Sequence, residues 1–401
     1  MIPYGRHYVD EDDIAAVVDV LRHGVLTQGP KVNEFEQLVA TYVGAKYAVA
    51  VSSGTAALHL ACLAAGVGSG DEVYTSPNTF VASANCALYV GATPKFADIN
   101  PNTLNIDLDD LHDRCIISSK VKAIIPVHFA GLACDMTRIR QTANEVGAVV
   151  IEDASHALGA TYEDGSRVGN CKYAEMTVFS FHPVKGIAAG EGGMIMTNDE
   201  YIFQKLLKLR SHGICKGNFE FPGISMPDDQ LLKPQAALEE NELKMWYYEM
   251  QDIGYNYRIT DIQCALAISQ MDKISSFLER RKEIAAAYDD AFKSEARVVC
   301  TQSMGRMQSS HHIYVLRVDF DALNTTRNKA MKYLAECGVG SQVHYIPVPL
   351  QPFYEQLGFS LEDYPEAKHY YEEALTIPIY YSMTDADVER VIVAVKGLLN
   401  L

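Results

Sequence analysis

The sequence lacks an excess of positive charge, an apolar run of membrane-spanning length and a CxxC motif. Its 34 lysines and arginines are outnumbered by 51 aspartates and glutamates, which gives a net charge of −17. This balance argues against nucleic acid or an anionic membrane as a partner, because both need clustered cations. A small anionic ligand needs only a few local amides and cations, so the charge does not exclude one.

Common metal, nucleotide and redox signatures are also missing. There is no HExxH motif, no Walker loop and no GxGxxG directly after a strand pattern, and we expect no metal site. The nine cysteines are scattered and odd in number, which predicts buried free thiols; a redox or metal role is the alternative. The first residues, "MIPYGRHYVDEDD", turn acidic at once and show no signal-peptide pattern, so we expect a cytoplasmic protein.

Short apolar segments alternate with helical patterns from about residue 45. Five of these segments lie at 47–52, 72–76, 94–98, 121–128 and 148–153, and two more, "EMTVFSF" and "GGMIMT", follow them. Nearly continuous apolar strands between helices predict an α/β fold with a large, mostly parallel sheet and helices on both faces. Ligands of such sheets bind beyond the carboxyl ends of the strands, so the residues after each strand are the candidates for function.

The remaining chain predicts a second, smaller domain. Residues 217–245 are polar and contain proline, which indicates a loop or an insertion. A long helical pattern follows at 258–292, and mixed strand and helix patterns continue to the end. We therefore predict a large ligand-binding domain over 1–255, and the long helix with a small C-terminal α+β domain over 256–401.

The first two strand ends offer an anion site and an aromatic ring. In "SSGTAAL" (52–58), Gly54 stands at a helix start, where free N–H groups and the helix dipole suit a phosphate. An ordinary N-cap is the alternative for this segment. Phe80, in "SPNTF", is either a core residue or a ring that stacks on a planar ligand.

The later strand ends offer a carboxylate, a hydroxyl and a lysine. Asp153 and His156 lie in "EDASHALGA", and Ser180 and Lys185 lie in "FSFHPVKG". Taken singly, the aspartate could cap a turn and the lysine could be a solvated turn residue. Together, a phosphate cradle, a stacking ring, an acid and a lysine are the parts needed by pyridoxal phosphate.

Four glycines follow the lysine and need an explanation of their own. We predict that they let the backbone leave a crowded site without clashing; they are Gly186, Gly190, Gly192 and Gly193.

At this point the sequence resembles the DegT/DnrJ/EryC1/StrS sugar aminotransferases, which have the type I pyridoxal 5′-phosphate aminotransferase fold. The likeness extends over nearly the whole chain, and the segments that carry it include "LTQGPKVNEFE", "VSSGTAALHLA", "SPNTFVASAN", "IEDASHALGA", "FSFHPVKGIAAGEGGMIMTND", "GYNYRITD" and "VHYIPVPLQPFYEQLGF". One branch of the family replaces the lysine by histidine and dehydrates sugars. This chain keeps Lys185, which favours amino transfer.

The resemblance also implies roles for individual residues. Lys185 would form the Schiff base with the cofactor and move the proton, Asp153 would pair with the pyridine nitrogen, and His156 would support either Asp153 or the phenolic oxygen. The remaining cofactor contacts would be Gly54, Thr55, Ala56, Phe80, Ser180 and, from the partner subunit of a homodimer, Asn256. The sugar contacts would be Tyr4, Leu26, Thr27, Asn256, His344, Tyr345 and Tyr354.

Within the family the similarity is greatest to the branch that serves pseudaminic acid biosynthesis. This implies transfer of the amino group of L-glutamate to C4 of a UDP-linked 4-keto-6-deoxy-N-acetylhexosamine. The alternatives are another nucleotide-linked 4-keto sugar, such as the GDP-linked precursor of perosamine, a pyridoxal-phosphate eliminase or aldolase, and a non-enzymatic cofactor-binding regulator. The insertion at 217–245 is expected to contact the substrate or the partner subunit.

Overall fold

The strands predicted after residue 45 form one seven-stranded sheet in the computed structural model, which describes residues 1–215, 238–239, 242–243 and 246–400. The sheet has the order β1-β7-β6-β5-β4-β2-β3. Its strands are β1 (Tyr47–Val51), β2 (Glu72–Thr75), β3 (Thr93–Phe96), β4 (Val121–Ile125), β5 (Val149–Asp153), β6 (Met176–Ser180) and β7 (Gly193–Thr197).

The mostly parallel character of this sheet is confirmed, with β7 as the exception. β7 runs antiparallel to both of its neighbours, β1 and β6, whereas the other neighbouring pairs are parallel. As a result, the segments that follow β1, β2, β5 and β6 and the segment that precedes β7 all meet at one edge of the sheet. The sequence predicted the functional residues at this edge.

Helices cover both faces of the sheet, as near-continuously apolar strands require. The helices of the first two-thirds of the chain are α1 (Glu11–His23), α2 (Pro30–Val43), α3 (Gly54–Ala64), α4 (Ala82–Tyr89), α5 (Leu108–Ile116), α6 (Met136–Val146), α7 (Glu200–Arg210) and α8 (Asp261–Asp272). One apolar core contains residues of α2, α5, α6 and α8, and a second contains residues of α3, α4 and α7.

The long helical pattern at 258–292 is two helices rather than one. Thr260 caps α8, and α9 (Ile274–Phe292) starts after a break at Lys273. The Nζ atom of Lys273 lies 2.6 Å from a carboxylate oxygen of Asp10 and 2.8 Å from one of Asp13, at the start of α1. This junction ties the N-terminal segment to the two helices.

The smaller α+β unit predicted near the C-terminus is present. It is built on an antiparallel sheet of β12 (Val298–Cys300), β13 (Tyr314–Val318) and β14 (Ala374–Ile377). Its helices are α10 (Arg327–Glu336), α11 (Pro352–Gln356), α12 (Pro365–Glu373) and α13 (Asp385–Leu399). Its core contains residues of α9 from Ile284 onward together with Ile2 of the N-terminal segment, whereas α8 packs on the large sheet. The domain boundary after residue 255 stays a prediction.

The proposed insertion at 217–245 lies outside the described residues, apart from β9 (Leu238–Glu239) and β10 (Glu242–Leu243), which pair with each other. Beside it, β8 (Ile214–Cys215) pairs with β11 (Glu249–Met250). In the described part of the chain, no helix combines the length and apolarity that crossing a bilayer would need.

Candidate active site

Lys185 sits in a short loop that two strands hold in place. The loop leaves β6 at Phe181 and returns at Gly192, and the amide of Phe181 donates to the carbonyl of Gly192 at 2.9 Å. Within it, the amide of Lys185 donates to the carbonyl of His182 at 2.8 Å, which closes the turn formed by "HPVK". His182 therefore closes the turn through its backbone carbonyl, and its side chain is exposed.

The environment of Lys185 favours a neutral amine. Burial lowers the pKa of Lys185 to about 8, and the negative charge of Asp153 opposes that shift. A lysine with a pKa of about 8 loses its proton just above neutral pH, and the free amine can then act as a nucleophile or a base. This setting differs from that of an ordinary surface lysine, and the catalytic role of Lys185 stays a prediction.

The Asp153 carboxylate ends β5 and is 5% exposed. One of its oxygens accepts a 2.6 Å hydrogen bond from the hydroxyl of Ser83, and the other accepts the amide of Ser155 at 3.1 Å. The second bond is the turn cap that the sequence left open as an alternative. Ser83 was not predicted, although it lies in the quoted segment "SPNTFVASAN", because nothing in the sequence shows which way its hydroxyl points.

Three buried imidazoles surround the lysine and the carboxylate. Burial and the positive charge of Lys185 place the pKa of His156 well below its ordinary value, and they lower that of His344 to about 4. The ring of His312, whose pKa is also lowered by burial, lies 4.3 Å from that of His156. These histidines are therefore neutral at physiological pH, and none of them adds a positive charge beside the lysine.

Neutral His156 has one partnered nitrogen and one without a partner. Its Nε2 atom lies 3.0 Å from the hydroxyl of Tyr345, while Nδ1 is buried and has no hydrogen-bond partner among the described residues. Tyr345, predicted as a sugar contact, thus also holds His156 in place. An unpartnered buried nitrogen is costly unless a ligand group pairs with it.

The start of α3 lies against the end of β6. A Cβ atom on Gly54 would come within 3.0 Å of the Ser180 Cβ, so a larger residue would force the two segments apart. The first N–H groups of a helix have no carbonyl partner within it. Here the amide of Ala56 donates to the side chain of its N-cap, Ser53, at 3.1 Å. This bond occupies the Ala56 amide, so the amides of Gly54 and Thr55 remain as the predicted donors for an anion.

The glycines after Lys185 are not equivalent, which corrects the single explanation given from the sequence. A Cβ on Gly193 would lie 2.3 Å from the carbonyl oxygen of Ser53, and Gly190 has a positive φ of 82°. Gly192 would meet Ile259 at 3.1 Å, whereas Gly186 has open space around it. Of these four, Gly193 is the glycine that a close backbone approach requires, and Gly190 is the one that a positive φ requires.

The other predicted contacts fall into three groups. Phe80 is 56% exposed, with its ring centroid 6.2 Å from that of Tyr345, and the Tyr4 ring lies 5.5 Å from that of His344. These two rings belong to the Lys185 region.

A second group is exposed near the start of α8. Leu26 is 51% exposed, and Asn256 is also exposed. Thr27 forms an isolated antiparallel β-bridge with Thr260, and Asn256 forms one with Ser211. The third group is Tyr354 alone. It is 2% exposed, packs on Phe96 and donates its hydroxyl to Asn85, so it has almost no surface to offer a sugar.

The chain is similar to two known bacterial proteins over nearly its whole length. The spore coat polysaccharide biosynthesis protein SpsC of Bacillus subtilis is 39% identical over 401 residues, which cover 100% of this chain and 97% of that protein. The UDP-4-amino-4,6-dideoxy-N-acetyl-beta-L-altrosamine transaminase of Campylobacter jejuni is 36% identical, over 98% of this chain and 96% of that protein.

Two solved structures match the fold equally well. PseC of Helicobacter pylori, an aminotransferase involved in the biosynthesis of pseudoaminic acid, superimposes with a TM-score of 0.87 at 28% identity, covering 100% of this chain and 99% of that chain. The putative sugar aminotransferase Spr1654 of Streptococcus pneumoniae, in its PMP form, gives 0.87 at 31% identity with the same coverage.

The residues present suit pyridoxal phosphate. The helix start at Gly54 provides N–H donors for a phosphate, Asp153 provides a carboxylate for a ring nitrogen, and the orphaned Nδ1 of His156 needs a ligand partner. The model of the DegT/DnrJ/EryC1/StrS aminotransferase family matches residues 7–396. The chain therefore belongs to the DegT/DnrJ/EryC1/StrS aminotransferase family and is a pyridoxal-phosphate-dependent sugar aminotransferase.

Proposed function

We propose that this chain transfers the amino group of L-glutamate to C4 of a UDP-linked 4-keto-6-deoxy-N-acetylhexosamine, as in pseudaminic acid biosynthesis. The observation that carries the chemistry is the amine of Lys185, whose pKa burial lowers to about 8 near the Asp153 carboxylate. The support for the sugar is the 36% identity to the Campylobacter jejuni transaminase and the fold match to PseC.

Pyridoxal phosphate, when bound, supplies the aldehyde that takes up the amino group and a ring that withdraws electrons from the neighbouring C–H bond. Lys185 is the residue that would hold the cofactor through its aldehyde; it would then take the proton from the donor's α-carbon and deliver a proton to C4 of the sugar. Because one lysine serves both half-reactions from one side, it also sets the configuration of the new amine. Both substrates use one site, so we expect ping-pong kinetics.

The other residues bind and orient. Asp153, held by Ser83, keeps a proton on the pyridine nitrogen. Gly54, Thr55 and Ser180 bind the phosphate. Phe80 covers the ring, and neutral His156, fixed by Tyr345, offers Nδ1 to the phenolic oxygen. The nearby rings of Tyr4 and His344 line the path of the sugar.

A panel of nucleotide-linked 4-keto sugars tests the substrate. The protein, pyridoxal phosphate and ¹⁵N-labelled glutamate are incubated with UDP- and GDP-linked 4-keto sugars, and the products are analysed by mass spectrometry with Lys185→Ala as the blank. We expect label in the UDP-linked N-acetylhexosamine. Transfer to a GDP-linked sugar alone, or to none, would contradict the proposal.

A second candidate is another nucleotide-linked 4-keto sugar. It is favoured by the 39% identity to SpsC, whose name places that relative in spore coat polysaccharide biosynthesis. The same panel decides between the two, since the candidates differ only in the nucleotide and the stereochemistry of the acceptor.

The pH dependence of cofactor attachment tests the state of Lys185. Only the neutral amine can attack an aldehyde, so the rate at which cofactor-free protein takes up pyridoxal phosphate should rise with pH through a midpoint of about 8. Because Asp153 raises the pKa of Lys185, the midpoint for Asp153→Asn should be lower. Stopped-flow absorbance measures both. A midpoint near the ordinary lysine value of 10.5 would contradict the assignment.

We also propose that Asn256, exposed in the structure, reaches the cofactor phosphate of the partner subunit in a homodimer. Lys185→Ala and Asn256→Ala proteins, each nearly inactive, should recover activity when their subunits are exchanged. The expected recovery is about a quarter of wild-type activity, because half of randomly mixed dimers are heterodimers with one intact site. No recovery, with subunit exchange demonstrated by mass spectrometry, would contradict a shared site.

A further inference from the structure

Arg281, on α9, is a buried cation without a counter-charge. Its side chain is 5% exposed, and one guanidinium nitrogen, Nη1, donates to the carbonyl oxygens of His311, His312 and Ile379 at 3.2, 3.0 and 3.0 Å. Among the residues that the structure describes, no carboxylate forms an ion pair with it. Burial lowers the pKa of Arg281 to about 10, yet the group stays charged at neutral pH. A buried charge of this kind is costly unless an anion pairs with it.

The guanidinium lines a narrow cleft that Lys185 also lines. The walls include Arg6 and His7 of the N-terminal segment and the rings of Phe277 and Tyr381. Of the lining residues in the described chain, Arg6, Lys185 and Arg281 are basic and none is acidic. The cleft therefore combines positive charge with partly apolar walls, directly beside the reacting amine.

His312 connects the arginine to the catalytic region. Its carbonyl oxygen accepts from Arg281, and its ring lies 4.3 Å from that of His156. Both Lys185 and Arg281 act electrostatically on the His312 ring. Arg281 and Lys185 thus both act on the same buried residue.

We propose that this cleft binds a carboxylate of the amino donor, with Arg281 as its charged partner. The inference rests on the proposed transfer from an amino acid at Lys185. An amino-acid donor must bring its amine to the cofactor carbon that Lys185 would hold, displacing the lysine amine, and its carboxylates then need cationic partners within a few bonds' length. A guanidinium fork matches a carboxylate in shape and charge.

The cleft beside Arg281 is narrow, and the charged residues in its lining are basic. We therefore assign it to a carboxylate of the donor, the smallest anionic group that either substrate carries, and expect Arg281 to serve the half-reaction of the donor.

The test compares the two half-reactions in Arg281→Met, which removes the charge and keeps the length of the side chain. Loading with pyridoxal phosphate and mixing with glutamate gives the first half-reaction; loading with pyridoxamine phosphate and mixing with the keto sugar gives the second. Loss of a charge-assisted hydrogen bond predicts that the glutamate concentration for half-maximal rate rises about ten- to a hundredfold. The rate and concentration dependence of the sugar half-reaction should stay within about twofold.

Two further variants serve as controls for Arg281→Met. Arg280→Met, the neighbouring position on α9, loses ion pairs with Glu283 and Asp385 and hydrogen bonds to the carbonyl of Met383, and it should leave both half-reactions unchanged. Arg281→Lys keeps the charge and one donor for the carbonyls, and it should recover part of the glutamate affinity even if the methionine variant is unstable.

A primary amine without a carboxyl group is the last control. It has no carboxylate for Arg281 to bind, so it should react equally slowly with wild type and with Arg281→Met. An unchanged glutamate dependence in the folded variants, or an equal loss in both half-reactions, would overturn the cleft assignment. If wild type reacts with a different amino acid and not with glutamate, the donor in the proposed function is wrong, and the same comparison with that amino acid decides on Arg281.

Discussion

Replacing Lys185 by alanine is expected to abolish amino transfer while the fold is retained. The side chain has no salt bridge in the described structure, and its loop is held by backbone bonds between Phe181 and Gly192 and within the "HPVK" turn. Removal of the amine therefore leaves the loop in place and takes away the group that moves the proton. A positioned acid–base group contributes about 10²–10⁴-fold, and the lost covalent attachment of the cofactor adds to this.

Two matched variants show that the effect belongs to this lysine. Lys185→Arg keeps a positive charge that cannot be removed near neutral pH, so it should be as inactive as the alanine variant. Lys172→Ala removes an exposed lysine paired with Asp164 and should keep wild-type rates. The measurement is 2-oxoglutarate formed per subunit, together with borohydride reduction and peptide mapping of the bound cofactor. Wild-type transamination by Lys185→Ala would refute the assignment.

Replacing Asp153 by asparagine is expected to leave the cofactor bound and to slow both half-reactions by about 10²–10³-fold, the usual effect of removing one preorganised electrostatic group. The amide oxygen can still accept from Ser155, and the Ser83 hydroxyl can act as acceptor as well as donor, so the turn and its contacts are preserved. What disappears is the negative charge that holds a proton on the pyridine nitrogen.

Ser83→Ala provides a graded comparison. It leaves the charge of Asp153 and removes one 2.6 Å hydrogen bond, so we expect a loss of about tenfold. Single-turnover rates with glutamate measure both variants, and thermal unfolding shows that they are folded. If Asp153→Asn reacts at the normal rate, the carboxylate is only the cap of the turn at Ser155.

The sequence predicted the sheet and the main site because both depend on local patterns. Apolar segments located the seven strands, and residues directly after them, such as Asp153 and Lys185, follow from the geometry of a parallel sheet. The reversal of β7 was not predicted, since an apolar strand has the same pattern in either direction. The break at Lys273 was not predicted either, and the acidic residues that pair with this lysine at the start of α1 are distant in sequence.

The contacts that sequence could not provide all join segments far apart in the chain. Ser83, His312 and Arg281 reach the site from α4, the segment before β13, and α9, and no spacing rule connects them to Lys185. Tyr354 shows the opposite error. Its motif resembles a sugar contact, but its side chain is enclosed by Phe96 and Asn85 in the core.

The loop of Lys185 is closed at its base by the ladder between β6 and β7. The amide of Phe181 donates to the carbonyl of Gly192, and the amide of Ala189 donates to the carbonyl of Phe181, both at 2.9 Å. The loop therefore cannot swing outward without opening a buried sheet. Such an opening belongs among the least populated fluctuations of a folded protein. The opening and closing that admit glutamate and release the amino sugar should therefore arise in other segments, and amide hydrogen exchange during turnover should leave 178–182 and 192–196 protected.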